Sequence, residues 1–325
     1  MTRICGLAPL LAIILLLGAC GDTTATVEGE SEATLTPPAA PSSPPPPADQ
    51  AFPVTVSADN GDVTIASKPT AIVSLSPSIT EMLYAIDAGS QVTAVDGSSN
   101  YPPGAPITDL SGFRPNVEAI AALDPDLVFL ARDRDDVVAT LESVGITVVL
   151  LEAAGDVEDV FTQVRTVGAA TGNTAAANAL ADDLDTTIDE LTASVPERAE
   201  PVTYFYELSD EYHSATSGTF IGSVMGHAGL ENIADSADPA AGDYPQLTAE
   251  YVLDADPDVI VIAHVEADSD PAVAEQQLAE RPGWADLTAV TTGQVVVLDS
   301  DIASRWGPRV VDLLRVMVEA TAGID

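Results

Sequence analysis

Cations are what this sequence has least of. Against 51 Asp and Glu stand 11 Lys and Arg, Lys68 is the single lysine, and the net charge is −40 over 325 residues. Phosphate binding needs a basic face, so a nucleic-acid binder is excluded. Electrostatic adsorption to an anionic membrane surface is disfavoured for the same reason. Aromatic residues make up 5% of the chain, and the two cysteines both fall within its first twenty residues. Catalytic signatures are missing as well. There is no Gly-x-Ser-x-Gly elbow, no P-loop, and no strand followed by a dinucleotide-binding glycine pattern. With 51 carboxylates, acidic pairs arise by chance and none marks an acid/base dyad. Nothing here points to an enzyme. The 46% hydrophobic content is ample for a core, and the length admits one large domain or two ordinary ones. Solvation and solubility account for the acid excess, with adaptation to a saline exterior as a second reading.

At the N-terminus Arg3 precedes an apolar run, Leu10–Leu17. That run is too short to cross about 30 Å of hydrocarbon but suits a secretion signal. The tetrapeptide Leu17-Gly18-Ala19-Cys20 resembles the lipobox of bacterial lipoproteins. The resemblance implies cleavage before Cys20 and lipid on its thiol and new amino end; the alternative is a plain export signal ending near Ala19. Cys5 leaves with the signal in either case, so no disulfide is expected. Residues 1–19 are therefore read as signal peptide and 20–51 as a Pro/Thr/Ser-rich tether, with seven prolines between Pro37 and Pro47.

From Phe52 the pattern changes. Two β-rich segments flank Asp59-Asn60-Gly61-Asp62, a hairpin turn signal. Short apolar strands then alternate with helical stretches: Ile72–Leu75, Val92–Val95, Leu127–Leu130 and Val148–Leu151, and again Val202–Tyr206, Val259–Ile262 and Val295–Leu298. This alternation implies βαβ units and parallel sheets. Between the two series Ala177, Leu180, Ala181, Leu184, Ile188, Leu191 and Val195 step by three or four, and Pro196 closes the pattern. A helix of that length reaches about 33 Å. The fold class is thus α/β, with two pseudo-symmetric lobes, residues 52–171 and 197–325, joined by one long helix over 172–196.

The lobes carry an internal repeat. Glu118 to Ala131 matches Glu250 to Ala263 without a gap, sharing the leading glutamate, an Asp-Pro-Asp turn (Asp124-Pro125-Asp126 and Asp256-Pro257-Asp258), a four-residue apolar strand and a final alanine. Two similar α/β lobes imply a cleft between them, where ligands bind. A zinc- or manganese-ion receptor is the rival reading. Its histidines, His213, His227 and His264, all lie in the second half, so clamping an ion between lobes would need carboxylates from the first. No metal site is assigned to the protein itself. Gly222 and Gly226 are read as points of close helix packing.

The motifs Ile72-Val73-Ser74-Leu75-Ser76-Pro77-Ser78-Ile79-Thr80-Glu81-Met82-Leu83, Tyr101-Pro102-Pro103, Asn116-Val117-Glu118, Pro125-Asp126-Leu127-Val128, Gly229-Leu230-Glu231-Asn232-Ile233, Pro245-Gln246 and Arg305-Trp306-Gly307-Pro308-Arg309 together resemble the cobalamin and iron-complex solute-binding proteins of bacterial ABC importers. The likeness runs over the folded part, with residues 71–325 as the binding domain. Ser78-x-x-Glu81 reads as a capping box opening the first helix, with Ser76-Pro77 as an alternative start. The resemblance implies a class III periplasmic-binding fold and a monomeric receptor without catalysis or cofactor. It also implies a corrinoid, ferric siderophore or haem as ligand, a dimeric permease with its ATPase as partner, and a location on the outer face of the membrane, lipid-anchored through Cys20. By alignment the cleft lining is Ser98, Ser99, Tyr101, Gly112, Phe113, Ala131, Tyr206, Tyr244, Arg305 and Trp306. Ser98, Gly112 and Ala131 stand where cobalamin binders are expected to place aromatics. Glu118 and Glu250 match the carboxylates that dock on permease arginines.

Overall fold

In the computed structural model, residues 51–265 and 270–324 are described. Cys20, the signal peptide and the tether through residue 50 lie outside them.

A hairpin opens the folded part: β1 (Val54–Ala58) pairs antiparallel with β2 (Gly61–Ile65) around Asn60-Gly61. Gly61, at φ 99°, supplies the left-handed backbone that this turn needs. Asn60 then pins the hairpin to the lobe, its Oδ1 accepting from Leu150 N and its Nδ2 donating to Val148 O.

The first sheet holds β3 (Ile72–Leu75), β4 (Val92–Val95), β5 (Leu127–Leu130) and β6 (Val148–Leu150), in the order β4-β3-β5-β6. The second holds β7 (Val202–Glu207), β8 (Leu230–Asn232), β9 (Val259–Val265) and β10 (Val295–Asp299), in the order β10-β9-β7-β8. All the strand pairs within these two sheets are parallel. Both sheets therefore run second-first-third-fourth, and the sequence repeat is a repeat of topology.

The repeated Asp-Pro-Asp explains itself chemically. Asp124 and Asp256 adopt positive φ (50° and 43°), ending the preceding short helix. The next aspartate in each copy then clasps the start of the lobe's first strand. Asp126 accepts from Thr70 N, Thr70 Oγ1 and Ala71 N at 2.8–3.1 Å, and Asp258 accepts from Thr203 N and Oγ1 at 2.8 and 2.9 Å.

Eleven α-helices are described: α1 (Pro77–Ala85), α2 (Val117–Ala121), α3 (Val137–Ser143), α4 (Val157–Thr171), α5 (Thr174–Ser194), α6 (Phe220–His227), α7 (Ala249–Ala255), α8 (Pro271–Ala279), α9 (Thr288–Thr291), α10 (Ser300–Ser304) and α11 (Val310–Thr321). Ser76 caps α1, with Pro77 in its first turn. The alternative start is the real one, and the Ser78/Glu81 capping box does not form. The long helix α5, about 31 Å, buries Ala177, Ala181, Leu184 and Ile188. It packs on α4 from the first lobe and on α6 and α11 from the second.

Strand side chains alternate between two cores as the pleat requires. Ile72, Leu127, Phe129, Tyr204, Tyr206, Val259 and Val261 face one continuous core that runs from lobe to lobe beneath α5. Val73, Val128 and Leu130 face a separate outer cluster, and Phe205, Ile260 and Ile262 face another. Gly222 is closely approached, though by the loop that leads into its own helix rather than by a second helix: a Cβ there would fall 2.3 Å from Thr216 O. Gly226 is not: it is exposed, with nothing within 4 Å of such a Cβ.

Candidate functional site at the strand ends

In open α/β sheets ligands collect beyond the carboxyl ends of the strands, where the order reverses. Here those ends meet. Arg305, which follows β10 and α10, reaches into the first lobe: its Nη1 donates to Glu81 Oε1 (2.9 Å), and its Nη2 donates to Ser98 O (3.0 Å) and Asn100 Oδ1 (2.8 Å). Its own lobe contributes Asp301 Oδ1 at 2.6 Å. Arg309 forks onto the same glutamate, Nε to Oε2 at 2.8 Å and Nη2 to Oε1 at 2.6 Å. Asn100 Nδ2 completes the crossing on Asp301 Oδ2 at 2.7 Å. The Glu81 side chain is 2% exposed, so one buried carboxylate holds two arginines of the opposite lobe. Its hydrogen bond raises the Arg309 guanidinium above its ordinary pKa, despite burial acting the other way.

Around this floor the ten expected lining residues divide. Tyr101, Phe113 and Tyr244 are 43%, 50% and 57% exposed, open enough to meet a ligand. Tyr101 lies under Arg309, whose guanidinium carbon is 4.4 Å from the ring centroid. Ser98 is exposed, and Ala131, Gly112 and Trp306 are half-buried. The Trp306 Nε1 is buried and finds no acceptor among the described residues. Tyr244 stands apart on the second lobe, next to Pro245, whose carbonyl accepts from Ser214 N.

Three expected lining residues are instead interior. Ser99 is fully buried, hydrogen-bonded to Asp96 Oδ1 at 2.6 Å and Thr80 Oγ1 at 3.0 Å. Tyr206 is fully buried and donates to Ala303 O at 2.9 Å; burial pushes its phenol well above the usual range. Arg305 is 8% exposed, with its hydrogen bonds turned inward. These residues build the floor from below. Gly112 cannot be aromatic at all, since a Cβ there would lie 2.2 Å from Leu75 O.

The reversal in the second sheet, between β7 and β9, carries a cluster that the motifs did not single out. Glu207, fully buried, accepts two 2.7 Å bonds from Arg281 and one of 3.0 Å from His264 Nε2. Arg281 also lies 4.6 Å from the Trp284 ring centroid and 5.5 Å from that of Tyr212, and its bond to Glu207 raises its pKa. A cavity of about 490 Å³ opens beside it, lined by Ile262, His264, Val273, Gln277 and Arg281 among others.

At the equivalent reversal in the first sheet, between β3 and β5, Arg114, Arg132 and Arg134 gather on the Phe113 ring at 5.9, 5.4 and 4.1 Å. Each such contact is worth about 0.5–1 kcal/mol at an exposed site. Sequence reasoning missed both clusters. Scarcity was the available signal: three of eleven cations fall between positions 114 and 134.

Glu118 and Glu250 occupy matching places, two residues after the N-caps of α2 and α7. Asn116 and Thr248 each accept from the backbone N–H three residues on, and both glutamates are exposed. The three histidines have ordinary partners: Ser209 for His213, Thr192 for His227 and Glu207 for His264. Among the described residues no group of three or more His, Cys, Asp or Glu is placed to hold a metal ion, and no helix is long and apolar enough to cross a membrane.

Comparison with known proteins agrees with this architecture. The chain is 35% identical over 302 residues to a cobalamin-binding protein of Halobacterium salinarum, covering 88% of this chain and 81% of that one. It is 30% identical over 282 residues to the ABC transporter substrate-binding lipoprotein YvrC of Bacillus subtilis, covering 83% and 86%. The crystal structure of the vitamin B12 binding protein BtuF of Vibrio cholerae superposes with a TM-score of 0.65 at 27% identity, over 78% of this chain and 96% of that one. The model of the periplasmic binding protein family matches residues 72–302. Two parallel sheets of one topology, strand ends meeting over a buried interlobe carboxylate and this run of matches have a single common account: the chain belongs to the extracytoplasmic periplasmic binding protein family, whose members bind solutes.

Proposed function

We propose that the chain captures a bulky metal chelate (cobalamin or another corrinoid, haem or a ferric siderophore) between its lobes and hands it to an ABC importer. The observation that carries this is the pair of exposed aromatics Tyr101 and Phe113 in the loop after β4, with Tyr244 exposed in the segment between β8 and α7 of the other lobe. Aromatic faces supply the apolar area and stacking that a flat macrocycle rewards. The relative named a cobalamin-binding protein supports a corrinoid, and the comparisons favour a chelate over a bare zinc or manganese ion. No bond chemistry is required, so the chain works as a monomeric receptor without catalytic residues or cofactor.

Within this reading Ser98, Gly112 and Ala131 form the flat part of the lining and leave room for the guest. Trp306 borders it, while Ser99, Tyr206 and Arg305 act from beneath. Glu118 and Glu250 dock on arginines of a dimeric permease driven by its ATPase, and Cys20 carries the lipid that keeps the receptor at the membrane's outer face. The likeness to YvrC, named a lipoprotein, supports that anchor. The purified protein is to be incubated with cyanocobalamin, haem and ferric siderophores, then freed of excess ligand. Co-migrating visible absorbance with quenched tryptophan emission is the expected result. Absence of every chelate, with zinc or manganese found by metal analysis, overturns the reading. A Cys20→Ser chain that stays in the membrane fraction overturns the anchor.

A further inference from the structure

Resting on the chelate reading, we infer that Arg114, Arg132 and Arg134 form an oxyanion subsite, so that the captured ligand carries a phosphate or carboxylate seated against Phe113. The argument begins with what these arginines lack. In a chain with 51 acidic and 11 basic residues, three arginines gathered on one ring without a carboxylate partner stand out. The other described arginines are engaged: Arg165 with Asp182, Arg281 with Glu207, Arg305 and Arg309 with Glu81, and Arg315 with Asp312, while Arg198 donates to the carbonyls of Thr321 and Ile324. Arg114, Arg132 and Arg134 form no ion pair among the described residues, yet they crowd one ring. Three like charges held that close repel one another, and an incoming anion relieves the repulsion.

Among the described residues no ion pair joins the neighbouring acids Asp133, Asp135 and Asp136 to these arginines. Asp133 Oδ1 accepts from Val138 N at 3.1 Å, at the start of α3. Asp135 and Asp136 both adopt left-handed backbone, at φ 57° and 56°. Two consecutive non-glycine residues in that region are strained, and such strain concentrates at binding sites. Asp135 shares with Arg114 and Arg134 the lining of a cavity of about 370 Å³, too small for a macrocycle but large enough for an appended anionic group. The cluster follows β5, whose neighbour β3 marks the strand-order reversal of the first sheet. The planar guanidinium matches phosphate and carboxylate two-fold, and the exposed face of Phe113 takes the apolar body beside it.

The test compares ligands that differ in their oxyanion. Cyanocobalamin carries a phosphodiester in its nucleotide loop, dicyanocobinamide lacks that loop, and haem carries two carboxylates. Affinities are to be measured for the wild type and for an Arg114→Gln/Arg132→Gln/Arg134→Gln variant, with an unchanged melting profile as the folding control for these exposed positions. The expected result is a loss of at least about tenfold for the oxyanion-bearing ligand that the wild type prefers, with cobinamide affinity unchanged. A loss confined to cyanocobalamin assigns the subsite to phosphate, and one confined to haem assigns it to carboxylate. Rising salt should erode the same difference. Equal losses for every ligand overturn the inference and leave the receptor reading intact. Unchanged affinities with impaired transport also overturn it and hand the arginines to the permease. If the wild type holds none of these ligands and no ferric siderophore, the receptor reading falls and takes this inference with it.

Discussion

At the scale of single residues, Glu81 decides the most. It is the buried anion that two arginines from the far end of the chain share, over sequence separations of 224 and 228 residues. Glu81→Gln removes the charge while keeping the shape, leaving Arg305 and Arg309 facing one another with little solvent. Breaking a buried pair from one side costs about 3–5 kcal/mol, so the urea midpoint should fall steeply. A shift within the error of the wild-type measurement would show that Asp301 and Asn100 suffice for Arg305. Nothing near Glu81 in the sequence announces this role. Its spacing from Ser78 mimics a capping box, and a local pattern carries no information about partners two hundred residues away. The matching placement of Glu118 and Glu250, as distinct from any role, was legible for the opposite reason. Each sits in a short helix opened by its own cap and ended by its own aspartate, all within one continuous motif. The arginines around Phe113 were legible only as a local excess of a rare residue type.

At the scale of elements, nearly every strand could be read, because a parallel strand buried on both faces is a short unbroken apolar run. The exception is β8, three residues long, with Glu231 exposed at its centre. Helix α4 was not read either. Thr162, Thr166, Gly168 and Thr171 dilute its helical preference, and it is the packing of Val157, Val160, Phe161, Val164 and Val167 that secures it. The place where α4 meets α5 is narrow. A Cβ on Gly168 would come 2.1 Å from the Cβ of Ala177. Gly168→Val should therefore force the two helices apart and cost at least about 1–3 kcal/mol, lowering the melting temperature. An added Ala177→Gly should return part of that loss, since it removes the methyl group that the new side chain meets. If the double variant is no better than the single, the two residues do not meet as described. Gly112 teaches a related lesson at a loop: the sequence showed a missing aromatic, whereas the backbone beside Leu75 O admits no side chain.

At the scale of the whole molecule, the repeat and the long amphipathic helix were enough to foresee two lobes of one topology. What holds the lobes together was not foreseen, because it depends on contacts between residues from opposite ends of the chain. The twofold likeness has a functional corollary if Glu118 and Glu250 meet a dimeric permease. Each then supplies an equivalent contact, and charge complementarity sets the register. The variants Glu118→Ala and Glu250→Ala should each lower uptake, and together should abolish it while ligand affinity in solution stays unchanged. Wild-type uptake in the double variant would refute the docking role. The Glu81 crossing has a consequence for how the protein comes to be. A carboxylate laid down in the first described helix stays unneutralised until Arg305 and Arg309, more than two hundred residues later, have been made. The leading half thus resembles an autonomous unit yet cannot seal its own interior, and maturation outside the cytoplasm should proceed in one cooperative event rather than lobe by lobe.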